Sequence, residues 1–207
     1  MYIMAKTKAM KQNKRSSNVK QLVKSIVNQS VEHKYFDQII VLNAVQTGNI
    51  YNISDITRGD EVTQRIGNQV TLKQLDFRCS ASINTNVDKA MVRFLLLVDK
   101  QGYNAPTVAD VIEPANLGTP YTDILMYHWD YRRRFKILHD EVIPLNKNGS
   151  NGYSARHITL KLNLESMNIG ASTTFTNQIY LIVLGSETNV LDLSTFQWMS
   201  RITFTDV

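Results

Sequence analysis

The chain has 207 residues, with 23 basic and 18 acidic side chains, a formal net charge of +5 and a single cysteine. That length suits one domain of roughly 170 residues behind a leading segment, enough to bury roughly 70% of its unfolded surface without staples. The lone Cys79 excludes an intrachain disulfide and a multi-cysteine metal site, and no run of apolar residues is long enough to predict a membrane span.

The charge is unevenly distributed. Residues 1–31 hold seven basic side chains (Lys6, Lys8, Lys11, Lys14, Arg15, Lys20 and Lys24) and no acidic one. Residues 32–207 therefore carry the other 16 basic groups against all 18 acidic groups, a balance of −2. Dense positive charge without counter-charge is the footprint of polyanion binding, so these seven residues are the candidate nucleic-acid contacts. The leading segment lacks the apolar core of a secretory signal, and the sequons at Asn52 and Asn148 are expected to stay unmodified.

Residues 1–16 are polar and aperiodic, and predict a disordered charge brush. From Ser17 the pattern changes. Val19, Leu22, Val23, Ile26 and Val27 fall at i, i+3, i+4, i+7 and i+8, with Lys20 and Lys24 on the opposite face. The spacing predicts an amphipathic helix over residues 18–29, capped by Ser17 or Asn18. About three turns are marginal alone, so the apolar stripe needs a partner; self-association is the simplest. A membrane-surface role fits less well, because the stripe carries no Trp or Phe.

Beyond Glu32 the pattern is β. Strands are expected at 35–45, 70–81, 91–98, 134–142, 155–164, 177–185 and 199–205, with a short apolar interruption at 50–53 inside a turn-rich stretch. The strand at 70–81 changes phase at Lys73 and Gln74, which predicts a β-bulge. Cys79 alternates with Leu75, Phe77 and Ala81 and reads as a small core residue. Residues 101–131 form a long insertion with three prolines, with a helical turn or two at 108–113. Seven or eight strands with long connections and almost no helical period predict an all-β fold, a single eight-stranded jelly-roll sandwich at 32–207 behind a basic arm with one short amphipathic helix. An immunoglobulin-like sandwich is the alternative, but its Cys…Trp…Cys spacing is missing.

No catalytic motif appears. His33, His128, His139 and His157 have no metal-ligand spacing, and there is no nucleophile elbow, phosphate loop or dinucleotide fingerprint. Asp140 and Glu141 are adjacent on an expected strand, so they point to opposite faces and make a poor acid–base dyad. Arg132, Arg133 and Arg134, with Lys136, follow Tyr127, Trp129 and Tyr131. Such a group could stack on bases, but Trp, Tyr and Arg are also the residues enriched in subunit interfaces, the preferred reading. The Arg58-Gly59-Asp60 tripeptide reads as a turn rather than an adhesion motif. Asp60, Glu61, Gln64 and Gln69 place oxygen donors around Gly59 and Gly67, a composition that suits calcium or a hydrogen-bonded polar loop.

Several segments, in order, resemble the coat protein of satellite tobacco necrosis virus. They are the lysine-rich arm and helix leading into Val31-Glu32-His33-Lys34-Tyr35-Phe36; the stretch from Arg58 through Gln64-Arg65-Ile66-Gly67-Asn68-Gln69-Val70; Pro106-Thr107-Val108; Arg134-Phe135-Lys136-Ile137-Leu138-His139-Asp140; and the closing Thr205-Asp206. Some of them also resemble capsid proteins of small circular single-stranded DNA viruses, which share the fold. The resemblance implies no enzyme, but a coat protein that assembles as sixty copies into a T=1 icosahedral shell in the virion, with the arm inside on a single-stranded genome. RNA is favoured over DNA, because the arm holds one arginine, Arg15. No small-molecule or membrane partner is implied. The resemblance also implies calcium at subunit contacts, with ligands at Glu32, Asp60, Gln69, Asp206 and the backbone carbonyl of Ile66, where the family has a small polar residue. The alternative is a non-viral β-sandwich module that binds nucleic acid through a basic tail.

Overall fold

The structure is a computed structural model that describes residues 33–102, 104–114, 117–118, 124–148, 152–167 and 176–206. The expected brush and helix, and with them every arm lysine, Arg15, the Val19–Val27 stripe residues and Glu32, lie outside the described residues.

Eight strands follow one another: β1 (Lys34–Asn43), β2 (Asn49–Asn52), β3 (Gln69–Ser82), β4 (Lys89–Asp99), β5 (Phe135–Asn146), β6 (Tyr153–Met167), β7 (Gln178–Gly185) and β8 (Thr195–Asp206), with one helical turn, α1 (Val108–Val111), between β4 and β5. They form two four-stranded sheets of order β1-β8-β3-β6 and β2-β7-β4-β5. Every pairing between these eight strands is antiparallel. The chain changes sheet at each connection except β4 to β5, which is the winding of a jelly roll. The apolar interruption near residue 50 is a true strand, β2, at the edge of its sheet.

Alternation explains the sheets. Leu75, Phe77, Cys79 and Ala81 of β3 point inward with Phe196, Trp198, Ile202 and Phe204 of β8. From the other sheet come Val92, Phe94, Leu96 and Val98 of β4 and Ile179, Leu181 and Val183 of β7. Rings fill the centre: Phe77 lies 5.9 Å from both Phe94 and Trp198, and Phe94 5.7 Å from Phe196, centroid to centroid. These are favourable aromatic spacings, and each such side chain buried contributes about 1.5–3 kcal/mol. The phase change in β3 is a register shift between Leu72 and Gln74 against both neighbours. It lets Val70 and Leu72 stay buried beside Leu75 and Phe77.

Strands β4 and β7 are buried on both faces, hence their nearly continuous apolar sequences. Their second face carries Leu95, Leu97, Tyr180, Ile182 and Leu184, covered by Val108, Val111, Ile112 and Leu125 from the β4–β5 insertion. The insertion is therefore a strap across the sheet. Thr107 caps α1, donating from both its backbone N–H and its hydroxyl to Asp110, at 2.8 and 2.9 Å. Strand β5 runs four residues past its expected end, through Pro144, which an edge strand tolerates. Gly185 closes β7 where a Cβ would lie 2.2 Å from the Ala44 carbonyl oxygen.

Candidate assembly and cation-binding surfaces

The connection between β2 and β3 contains most of the expected calcium ligands. It folds on itself: the Gly59 N–H donates to the Arg65 carbonyl and the Arg65 N–H to the Thr57 carbonyl, both at 3.0 Å, and the Gln64 N–H to the Glu61 carbonyl at 2.9 Å. Gly59 leaves room for the Gln64 amide, which a Cβ there would push aside. This is the turn expected of the Arg58-Gly59-Asp60 tripeptide.

The ligand set divides. The Asp60 carboxylate is exposed and has no bonded partner among the described residues, and Gln69 is half-buried at the start of β3. Asp206, at the end of β8, has Oδ2 2.9 Å from Lys34 Nζ, while its Oδ1 accepts the Ile66 N–H at 3.3 Å. The Ile66 carbonyl accepts from Arg58 Nε at 3.2 Å. Burial first, then the nearby Arg58, lower the pKa of the Arg65 guanidinium, against the pull of Asp55 and Asp206. Among the described residues no three His, Cys, Asp or Glu side chains gather as a metal site. Within one subunit, Asp60 and Gln69 therefore remain available to an ion, whereas Asp206 and the Ile66 carbonyl already serve the chain's own cations.

The second surface is the end of the strap. Residues 124–134 leave the sheet and return to β5, fixed by a bridge between Ile112 and Tyr127 and by the His128 N–H on the Val111 carbonyl at 2.8 Å. Two arginines, one buried and one half-buried, hold it from below. Arg93 of β4 donates to both Asp140 oxygens at 2.8 and 2.6 Å and to the Leu125 carbonyl at 2.8 Å. The Tyr127 hydroxyl donates to the same carboxylate. Burial works to raise the Asp140 pKa, but the bonds from Arg93 and Tyr127 outweigh it and hold the carboxyl below its ordinary range. Burial, reinforced by the bond to Asp140, pushes the Tyr127 hydroxyl up to about 12. Arg134 pairs with Asp99, so one member of the basic run is internal.

What the strap presents outward is apolar and aromatic. Ile124, Met126 and Trp129 are 68, 72 and 69% exposed. The Arg132 guanidinium lies 3.5 Å from the Trp129 ring centroid, a cation–π stack in the open. Large exposed apolar groups this close together mark an interaction surface.

A third surface is the outer face of the β1-β8-β3-β6 sheet, an open groove of about 650 Å³ lined by Ile39, Val41, Arg78, Tyr153, His157 and Met199 among others. Cross-strand register sets Ile39, Met199, Arg78 and His157 in one row. Cys79 lies beneath, its thiol pushed up to about 12 by burial first and by Glu141. Asp140 and Glu141 do face opposite ways: Glu141 pairs with Arg156 and His139, not with its neighbour's partners. Sequence reasoning missed Lys34, Arg93 and Asp99. A charge inside the apolar runs of β4 was the available signal for Arg93 and Asp99.

The jelly roll is a fold shared by viral coat proteins, lectins and cupins. The comparisons select the first of these, and the chain belongs to the satellite tobacco necrosis virus coat protein family, whose model matches residues 4–207. It is 30% identical over 164 residues to the coat protein of Maize white line mosaic Satellite virus, covering 77% of this chain and 73% of the relative. It is 31% identical over 140 residues to the capsid protein of Satellite tobacco necrosis virus 1, covering 66% and 68%. Among solved structures, a chain of Desmodium yellow mottle tymovirus overlaps with a TM-score of 0.43 at 13% identity, covering 85% of this chain and 88% of that one. The protein is a satellite-virus coat protein, and its place is the capsid of the virion.

Proposed function

We propose that the chain closes into a T=1 shell of sixty copies and packages a single-stranded genome, RNA rather than DNA, through its basic arm. Family membership supports the shell, and the observation that carries the packaging reading is the charge division: +7 in residues 1–31 against −2 in the rest. Sixty arms bring 420 positive charges. A genome encoding only this chain needs at least 621 nucleotides, three for each of 207 residues. The arms neutralise at most about two-thirds of it, and small cations complete the balance. Phosphate contacts carry little sequence information, so packaging is nonselective and salt-sensitive.

The stripe of Val19, Leu22, Val23, Ile26 and Val27 is hidden by self-association, in a bundle of three helices beneath each threefold axis. Calcium is proposed as a contact ion between copies, drawing on Asp60 and Gln69, the described members of the set not already engaged, and on Glu32. The Trp129–Arg132 platform is read as a subunit contact.

Light scattering and negative-stain microscopy of purified protein test the assembly. Sixty copies of 23.6 kDa give a particle of about 1.4 MDa; a species near 23.6 kDa, or a small multiple of it, would favour the binding-module alternative. Extracted nucleic acid treated with RNase and DNase decides the genome type. Leu22→Asp with Ile26→Asp is expected to leave the body folded and to stop assembly; normal particle yield removes the bundle. Particles that melt alike with and without chelator remove the contact ion.

A further inference from the structure

The corner around Asp206 offers the kind of oxygen atoms that a divalent cation takes, yet the chain's own side chains hold them. Lys34 Nζ lies 2.9 Å from Asp206 Oδ2 and donates to the Gln64 carbonyl at 3.1 Å. The Lys34 side chain is only 3% exposed. Arg58 takes the Ile66 carbonyl at 3.2 Å. Arg65 takes the Ile56 carbonyl at 3.0 Å and the Gly67 carbonyl at 2.5 Å. Four carbonyls are thus bonded to three cationic side chains, and one carboxylate oxygen lies within ion-pair distance of Lys34 without a hydrogen bond. Calcium needs six to eight oxygens. To take Asp206 Oδ2 here it would have to separate that oxygen from the buried Lys34 ammonium, which would then keep only the Gln64 carbonyl, a strongly unfavourable loss.

We propose that Lys34 is the resident cation of this corner, in place of calcium. Its ammonium ties the first residue of β1, the last of β8 and the β2–β3 loop into one knot that needs no metal. The inference rests on the calcium reading above only in that any contact ion would draw on Asp60, Gln69 and Glu32 rather than on Asp206 Oδ2.

The test uses full-length particles, melted in millimolar CaCl2 and in EDTA, for the wild type, Lys34→Met, Asp206→Asn, the double variant and Asp60→Asn. Lys34→Met is expected to melt below wild type, and the double variant above Lys34→Met, because removing both charges leaves no buried orphan. Asp206→Asn is expected to keep whatever calcium-dependent rise the wild type shows. Loss of that rise in Asp206→Asn, or Lys34→Met melting with the wild type, overturns the proposal. Should Lys34→Met fail to fold, recovery in the double variant supports the pairing and continued failure refutes it. Asp60→Asn reports on the contact ion separately. A wild type that shows no rise supports the metal-free corner while removing that ion.

Discussion

Arg134→Met is the sharpest probe of the strap. Arg134 donates Nε to Asp99 Oδ1 at 3.0 Å and Nη2 to Oδ2 at 2.7 Å, and Nη2 also reaches the Asn104 carbonyl at 2.5 Å. The Asp99 side chain is 1% exposed and that of Arg134 12%, so this is a buried bidentate pair. Without the guanidinium, Asp99 keeps the N–H groups of Gln101 and Gly102, at 3.0 and 3.4 Å, but loses its counter-charge. Removing one partner of a buried pair costs about 3–5 kcal/mol. For a domain of this size that lowers the melting temperature by roughly 6–20 °C. Urea titration of purified protein measures it, and Arg134→Met with Asp99→Asn is expected to recover most of the loss. Limited proteolysis reports the local effect, because cleavage should rise within residues 101–131. A single variant within about 1 kcal/mol of wild type, with the strap equally resistant, would refute the reasoning.

Trp129→Ala is expected to change stability by no more than about 0.5 kcal/mol, as an exposed position should, yet to lower particle yield, measured by sedimentation. Gly185→Ala forces its Cβ against the Ala44 backbone and is expected to cost about 1–3 kcal/mol or more, read as a lower urea midpoint. Cys79 should not react with a thiol reagent at pH 8 until the chain is unfolded, since burial holds its pKa at about 12. Asp37, Asp140 and Glu141 all have pKa values below their ordinary 3.8, 3.8 and 4.5. The Arg201 hydrogen bond lowers the first. For the other two, arginine and neighbouring hydrogen bonds outweigh burial. The unfolded chain therefore takes up protons first, so their stabilisation is whole above those ordinary values and is lost as pH falls below them. Urea midpoints measured from pH 6 to pH 3 should fall at the acid end, less steeply in Asp140→Asn.

Alternation made the sandwich legible, and it worked best where one face is buried. Leu75, Phe77, Cys79 and Ala81 gave β3 its phase, and the slip before them located the bulge. Boundaries were poorer where the pattern weakens. Strand β8 begins four residues before its expected start, although Phe196 and Trp198 alternate with Gln197 and Met199. Strand β5 continues through Pro144 because an edge strand need not donate there. The site was less legible for a different reason. Lys34 and Asp206 lie at opposite ends of the described chain, and only the β1–β8 pairing brings them together. Arg134 looked like part of a surface run because Asp99, its partner, lies across the strap. Composition identified oxygen donors in the β2–β3 loop, but not that lysine and arginine would take its backbone carbonyls at Gln64, Ile66 and Gly67.

The ion pairs bear on why the arm should carry the genome. Arg93, Arg134, Arg156, Arg201 and Lys34 each pair with a carboxylate of the body. Those charges fasten strands, strap and loop, and cannot leave for phosphate without abandoning an acidic partner. Beyond position 31 the chain carries 16 basic residues against 18 acidic ones, close to balance. A surface so mixed neither attracts nor repels a polyanion strongly. The seven arm charges face no such competition within residues 1–31, which contain no acid. Binding through them should therefore weaken steeply with salt, with a log–log slope approaching about −5 per arm on single strands. The pairs with a buried member, Lys34–Asp206, Arg93–Asp140 and Arg134–Asp99, should hold through the same change in ionic strength. Salt would then loosen the cargo before the subunit fold, so the two tasks given to positive charge in this chain are separable by ionic strength.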